Sequence, residues 1–453
     1  MNTTKFSQFM GAAVLFAISF SSCKKPIGPN EVFVSNDIVM YWNAKAVAVV
    51  NAPITPPSQS RFIAMVQISV HDALNSIKPK FETIALHNVL ETNASPDAAV
   101  ASAAYWTLKN MNIRSASQSF AWSLLDSLDT WYAESLGTIP DGESKDLGIA
   151  LGKKSSDAII AKRSTDNFAV ANRQMALPDG VAPGEYRSTL PFSNTGMPKI
   201  KALDQWGTVM TPFVIKTNSQ FRPAPPLPVS SPEYVTEYNE VKAKGARTGH
   251  TRTDDEDQIG VFWVERSTLG WNRFARNIIN AKNIDAWRTA RLFALLHTAM
   301  TDAATASFEA KYYYLYWRPE TAIRLGDTDG NPNTAGDATW LPSYTETPNP
   351  GNSALNINTP PIPDYPSIHA GFGGAGAEIL KLFFQTDIVS IDQTSTTKPG
   401  IIRHYSSISQ AAKENSLSRI YVGYHFRNSV VKGEEQGTQV GNYVFNNSFL
   451  EIK

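Results

Sequence analysis

Helical periodicity dominates this chain and narrows most sharply what it can fold into. Apolar residues recur at a helical period through roughly 37 to 51, 59 to 77, 95 to 110, 115 to 136, 142 to 164, 256 to 282, 285 to 317, 367 to 386, 402 to 424 and 432 to 447, whereas convincing strand alternation is scarce. The implied fold class is all-α: two packed helical bundles with long irregular loops, residues 37–255 supplying support and residues 256–453 carrying a site. Between about 166 and 255 the chain turns irregular, with the Pro-rich FRPAPPLPVSSPEY, and again over about 325 to 366, with GDTDGNPNTAGD and TPPIPDYP. Loops of that length in a compact protein serve function or wrap the surface.

The 453 residues are 42% hydrophobic and hold 41 basic against 41 acidic side chains, enough apolar material for a large core and no net charge to draw in a polyanion. That argues against nucleic-acid binding. Residues 1–22 read as a signal peptide, with Lys5 in a polar start, an apolar run from Phe9 to Phe20 and small residues before Cys23. Cys23 is the only cysteine, so no disulfide within the chain is possible. Its place after Ser21 and Ser22 suits a bacterial lipoprotein processing site, with ordinary cleavage beside an incidental cysteine as the other reading. The expectation is a lipidated Cys23, a tether over 23–36, and an exported body in the periplasm or at the cell surface, held to the outer membrane by lipid alone.

Three tracts concentrate chemistry in the last third: KYYYLYWRP (Lys311 to Pro319), YPSIHA (Tyr365 to Ala370) and SRIYVGYH (Ser418 to His425). Lys311 and Arg318 are seven apart, a spacing that returns nearly to one helix face, and Pro319 disfavours helix at Arg318. In the second tract Ser367 and the free amides of a helix start favour an anion, with His369 in the first turn. In the third, Ser418 and His425 share a helical spacing and Arg419 lies within reach. Each tract alone also reads as a solvated cation or a structural histidine. His71 and His297, in apolar helical stretches, read as core histidines, and Tyr421 and Tyr424 as core aromatics. DTDGNPNTAGD resembles a calcium loop but has Ala338 where a bidentate Glu is required, so a solvated turn is expected. Thr253 and Glu256 form a capping-box pattern.

Taken in order, the tracts resemble the superfamily of vanadium-dependent haloperoxidases and type 2 phosphatidic acid phosphatases, whose pattern is K-x6-RP, PSGH and SR-x5-H-x3-D. The stretch from Trp271 to Arg324 and the helix Phe62 to Ile77 resemble bacterial haloperoxidase-like proteins, so that the likeness runs from about residue 37 to the C-terminus. The absence of apolar spans after the N-terminus favours that branch over membrane-embedded lipid phosphatases. The resemblance implies that Lys311, Arg318, Ser367, Arg419 and the amide of Ile368 bind an oxyanion. It implies His425 as the ligand of the central atom, vanadium, and His369 as acid/base. Ile362 and Phe308 are the implied halide wall.

Two departures stand out. Ile368 replaces the usual Gly, and Ser429 stands where the pattern has an Asp that would orient the histidine. The implied cofactor is vanadate, with phosphate as competitor and no haem or flavin. The implied substrates are hydrogen peroxide, a halide and an organic acceptor. Acid phosphatase chemistry through a phosphohistidine, and a non-catalytic oxyanion-binding lipoprotein, remain open alternatives at this level.

Overall fold

The computed structural model describes residues 34–50, 54–111, 126–176, 178–194, 196–197, 199–344 and 359–452. The stretch expected to be a signal peptide, Cys23 and most of the expected tether lie outside the described residues. The body, Ser35–Lys453, forms one compact unit. Its longer helices are α1 (Asp37–Val50), α2 (Pro56–Asn75), α3 (Pro96–Asn110), α4 (Leu128–Gly137), α5 (Glu143–Arg163), α6 (Pro232–Lys244), α7 (Asp254–Phe262), α8 (Ser267–Lys282), α9 (Ala286–Tyr314), α10 (Pro319–Arg324), α11 (Ile368–Phe384), α12 (Ile408–Tyr421) and α13 (Arg427–Asn447). Two antiparallel pairs supplement them, β1 (Gln174–Ala176) with β2 (Ile200–Ala202) and β3 (Ile388–Thr394) with β4 (Ile402–Ser407). No helix among the described residues is long and apolar enough to cross a membrane.

Side-chain oxygens mark several helix starts. Ser95, Ser231, Thr253, Asp285, Ser367 and Ser407 each accept from an amide of the first turn, and the Thr253–Glu256 capping box closes in both directions. The central element is α9, which packs against α2 on one side and against α11 and α13 on another. Its residues are therefore apolar or small almost all the way round, including buried Ala290, Leu292, Phe293, Leu296, Ala299 and Ala303. Glycine allows the close contact of α11 with α13: a Cβ on Gly437 would lie 2.0 Å from the carbonyl oxygen of Gly371.

Several expected helices need correction. The single helix read over 256–282 is two, α7 and α8. They break at Trp263–Arg266, where buried Glu265 leaves the helical path to accept from Arg273 and Thr396. The helix read over 402–424 begins only at Ile408; the preceding six residues are β4, whose partner β3 alternates exposed and buried positions. Only the end of the stretch read over 115–136 is described, as α4. The segment expected to be a turn despite its likeness to a calcium loop is a turn, whose Asp327, Asp329 and Asn331 oxygens accept from Gly336, Asn331, Thr334 and Asn333. Among the described residues no cluster of three or more metal-ligating side chains occurs.

Candidate oxyanion site

The first tract does not place its two cations on one helix. Leu315 takes a left-handed conformation (φ 48°) and ends α9, so Lys311 sits in the last turn of α9 and Arg318 in an extended segment (φ −84°, ψ 155°) before Pro319 and α10. The chain reversal, not helical phase, brings both cations inward. Lys311 Nζ donates to the carbonyls of Pro363 and Asp364 at 2.6 and 2.7 Å. Arg318 Nε donates to the Ile362 carbonyl at 2.8 Å and Nη1 to the Tyr424 carbonyl at 2.7 Å.

The third tract is corrected in the same way. Helix α12 ends at Tyr421, Gly423 has φ 81°, and His425 lies in the turn before α13, so Ser418 and His425 share no helix face. Ser418 is spent on the Asn415 carbonyl. Arg419 stays in the last turn of α12, its guanidinium 4.9 Å from the Tyr424 ring. Tyr421 and Tyr424 are both buried, as expected of core aromatics.

The second tract starts α11 as its pattern implies, with Ser367 accepting from the Ala370 amide. Ile368 is the first helical residue, and its φ is not positive, so the replacement of glycine asks nothing unusual of the backbone and keeps an N–H at the helix start. His369 Nδ1 lies 3.0 Å from Ser267 Oγ at the start of α8, and Asn415 Nδ2 donates to the His369 carbonyl. His369 Nε2 is buried without a hydrogen-bond partner among the described residues.

These groups act on each other electrically. Burial, then the charges of Arg318, Lys311, Arg419 and His369, holds His425 well below the ordinary histidine range. Burial and Arg419 do the same to His369, and burial with Arg318 and Arg419 lowers Lys311. A neutral His425 fits its contacts, because Nε2 lies 3.0 Å from the Arg318 Nη1 donor and can only accept there. Burial raises Asp364 to about 6, against the opposing pull of Arg318, Lys311, the Ser429 hydroxyl and the Phe426 amide.

An apolar cluster fixes the geometry from behind. Trp317, Tyr365, Ala370, Ile420 and Phe426 belong to one buried cluster, and each is the chain neighbour of a site residue: Arg318, Asp364, His369, Arg419 and His425. Burying side chains of the larger kinds contributes about 1.5–3 kcal/mol apiece, so each polar group is held by an anchored neighbour. Phe308 is buried with its ring near those of Trp206 and Tyr312, while Ile362 is half-buried and meets the site through its carbonyl. Sequence reasoning missed Asp364, Ser267 and Asn415. Only Asp364 had a local signal, its place three residues before Ser367 in a sequence that lacks the orienting Asp at 429. His71 and His297 are core histidines as expected, beside Asp72 and Asn272 respectively.

Residues 291–450 match the family model for the second helical-bundle domain of vanadium chloroperoxidase, a segment that contains every site residue above except Ser267. The vanadium chloroperoxidase of Curvularia inaequalis is 25% identical over 496 residues, covering 87% of this chain and 79% of that protein. The chain is similar to the vanadium-dependent haloperoxidases. Its fold is theirs as well. A bacterial vanadium-dependent iodoperoxidase superposes with a TM-score of 0.73 at 24% identity, covering 93% of this chain and 99% of the other. The apo form of a bacterial vanadium-dependent chloroperoxidase superposes with a TM-score of 0.68 at 14% identity, covering 87% and 93%.

Proposed function

We propose that this haloperoxidase-like chain is a vanadate-dependent haloperoxidase that uses hydrogen peroxide to oxidise a halide to hypohalous acid. The observation that carries the reading is the gathering of Lys311, Arg318 and Arg419 around a neutral His425 whose Nε2 is an acceptor, with His369 at the facing helix start. The residues fit vanadate. Two guanidinium groups and an ammonium match a tetrahedral oxyanion, the Ser367 hydroxyl and Ile368 amide add neutral donors, and His425 Nε2 supplies a lone pair. Bound vanadate would supply Lewis-acid activation of peroxide.

The protein's own part is binding and proton handling. Cations buried among carbonyl oxygens cannot be screened by salt as surface charges are, so their hold on the anion is strong and local. His369, kept neutral, can take a proton at Nε2 and return it, while Ser267 at Nδ1 orients the ring. Phe308 and Ile362 remain the proposed halide wall, and an organic acceptor the proposed further substrate.

The test is activity of the purified protein after loading with orthovanadate or, separately, with phosphate. Each sample receives peroxide with iodide, bromide or chloride, and in parallel a chromogenic phosphate ester. Halide oxidation that needs vanadate and is suppressed by phosphate supports the proposal and ranks the halides; ester hydrolysis inhibited by vanadate, with no halide oxidation, moves the chain to the phosphatases. Vanadate bound without either turnover leaves an oxyanion-binding protein. Cleavage before Cys23 and lipidation of that residue are proposed as the route to the outer membrane, and the intact mass of the mature protein checks them.

A further inference from the structure

A histidine that offers Nε2 as a ligand must carry its proton on Nδ1, and something must hold it in that tautomer. In the pattern this sequence otherwise follows, that group is an Asp four residues after the histidine, where Ser429 stands. We infer that Asp364 is the positioning residue of His425, supplying from the loop before Ser367 the carboxylate missing at 429. The role rests on His425 being the oxyanion's ligand, as proposed above.

Asp364 Oδ1 lies 2.8 Å from His425 Nδ1, a close polar contact that falls short of an in-line hydrogen bond. Its other oxygen, Oδ2, accepts from the Ser429 hydroxyl, so the serine at the departed position braces the replacement carboxylate. The Phe426 amide also donates to the carboxyl, which ties it to the residue directly after His425. The backbone of Asp364 is held on both sides: its N–H donates to the Tyr316 carbonyl at 2.9 Å, and its carbonyl accepts from Lys311 Nζ. Ser367 N–H in turn donates to the Ser429 carbonyl at 2.8 Å, locking the loop to the start of α13. The side chain is fully buried, and Arg318 Nη1 is 3.8 Å from Oδ1. Arg318 Nη1 lies 3.0 Å from Nε2 and 3.3 Å from Nδ1, and with the carboxylate nearer to Nδ1 the tautomer with hydrogen on Nδ1 gives carboxylate and guanidinium a partner each.

The experiment uses the full-length protein as wild type, Asp364→Asn, Asp364→Ala/Ser429→Asp and His425→Ala. Orthovanadate binding is followed by vanadium NMR of the free anion. The His425 tautomer is read without vanadate from nitrogen-15 shifts of histidine-labelled protein. Asp364→Asn is expected to weaken vanadate binding about 10–100-fold and to shift His425 from the Nδ1–H tautomer. The double variant, which moves the carboxylate to 429, is expected to restore both. Wild-type affinity or an unchanged tautomer in Asp364→Asn overturns the inference, provided His425→Ala has lost binding. Vanadate binding that survives His425→Ala overturns the site reading beneath it. Should Asp364→Asn fail to fold, the double variant decides alone: a folded double variant without recovered affinity shows Asp364 to be a structural counter-ion to Arg318.

Discussion

Glu237 carries a cost that depends on pH. It lines a narrow crevice with Tyr234, Tyr316, Asn428 and Ser429 directly behind the candidate site. Burial first, and then the charge of Asp364, raises it to about 7. Because the folded value lies above the unfolded one, the folded state keeps a proton that the unfolded chain releases, so stability falls as pH rises from about 4.5 to about 7. The full shift corresponds to about 3 kcal/mol, which partial exposure reduces to about 1–2 kcal/mol. Glu237→Gln is therefore expected to stabilise the protein by that amount at pH 8 and to change little at pH 4.5, as measured by urea unfolding at both. Ile368 makes a different case. Its side chain is buried and only its amide faces the helix start. Ile368→Gly, which restores the residue usual in the superfamily, should lower stability by about 3 kcal/mol through lost burial and helix propensity. Vanadate affinity, titrated alongside, is expected to stay near that of wild type.

The position of α11 decides whether its first turn faces the cations. Helix α13 approaches it so closely that Cβ atoms are excluded on both sides, since one on Gly374 would meet the Glu434 carbonyl oxygen at 2.3 Å and one on Gly437 the Gly371 carbonyl oxygen at 2.0 Å. Gly437→Ala must push the helices apart, at an expected cost of about 3 kcal/mol. Because Ser367 and His369 ride on α11, vanadate binding should weaken along with stability. Thr253→Ala is the matching control: it removes the cap of α7, far along the chain from the site tracts, and should cost about 1 kcal/mol with no change in binding. Denaturation curves and vanadate titrations on the two variants separate a lost helix contact that moves the site from one that does not.

Across the whole molecule, single buried carboxylates tie long loops to the helices, a task for which a chain with one cysteine has no disulfide. Asp302, in the middle of α9, accepts from the amides of Phe213, Val214 and Ile215 at 2.7, 2.7 and 3.0 Å. Glu320 in α10 joins the Leu190 amide to the Thr359 hydroxyl, drawing two separate loops together behind Arg318. Asp302→Ala leaves three amides without their acceptor, and a loss of about 3 kcal/mol or more is expected. Limited trypsin digestion should then cut first at Lys216, which is exposed beside the released segment.

Most of the helices, the Thr253 cap, the Pro-rich loops and the candidate cations and histidines could be named along the chain because each depends on local chemistry: apolar period, capping oxygens and the spacing of charged and imidazole side chains. Ser367 and His369 were read together correctly because one helix start carries both. Lys311 with Arg318, and Ser418 with His425, were read by helical phase and misplaced, because a left-handed Leu315 and the turn at Gly423 intervene, and such breaks answer to packing outside the segment. Strand β4 was taken for helix because only pairing with β3 makes it a strand. Asp364 had a local signal in its place before Ser367, but its nearness to His425 was not legible along the chain. A contact across 61 positions depends on how α9, α11 and α13 bring their ends together, and that closeness exists only once the core has packed.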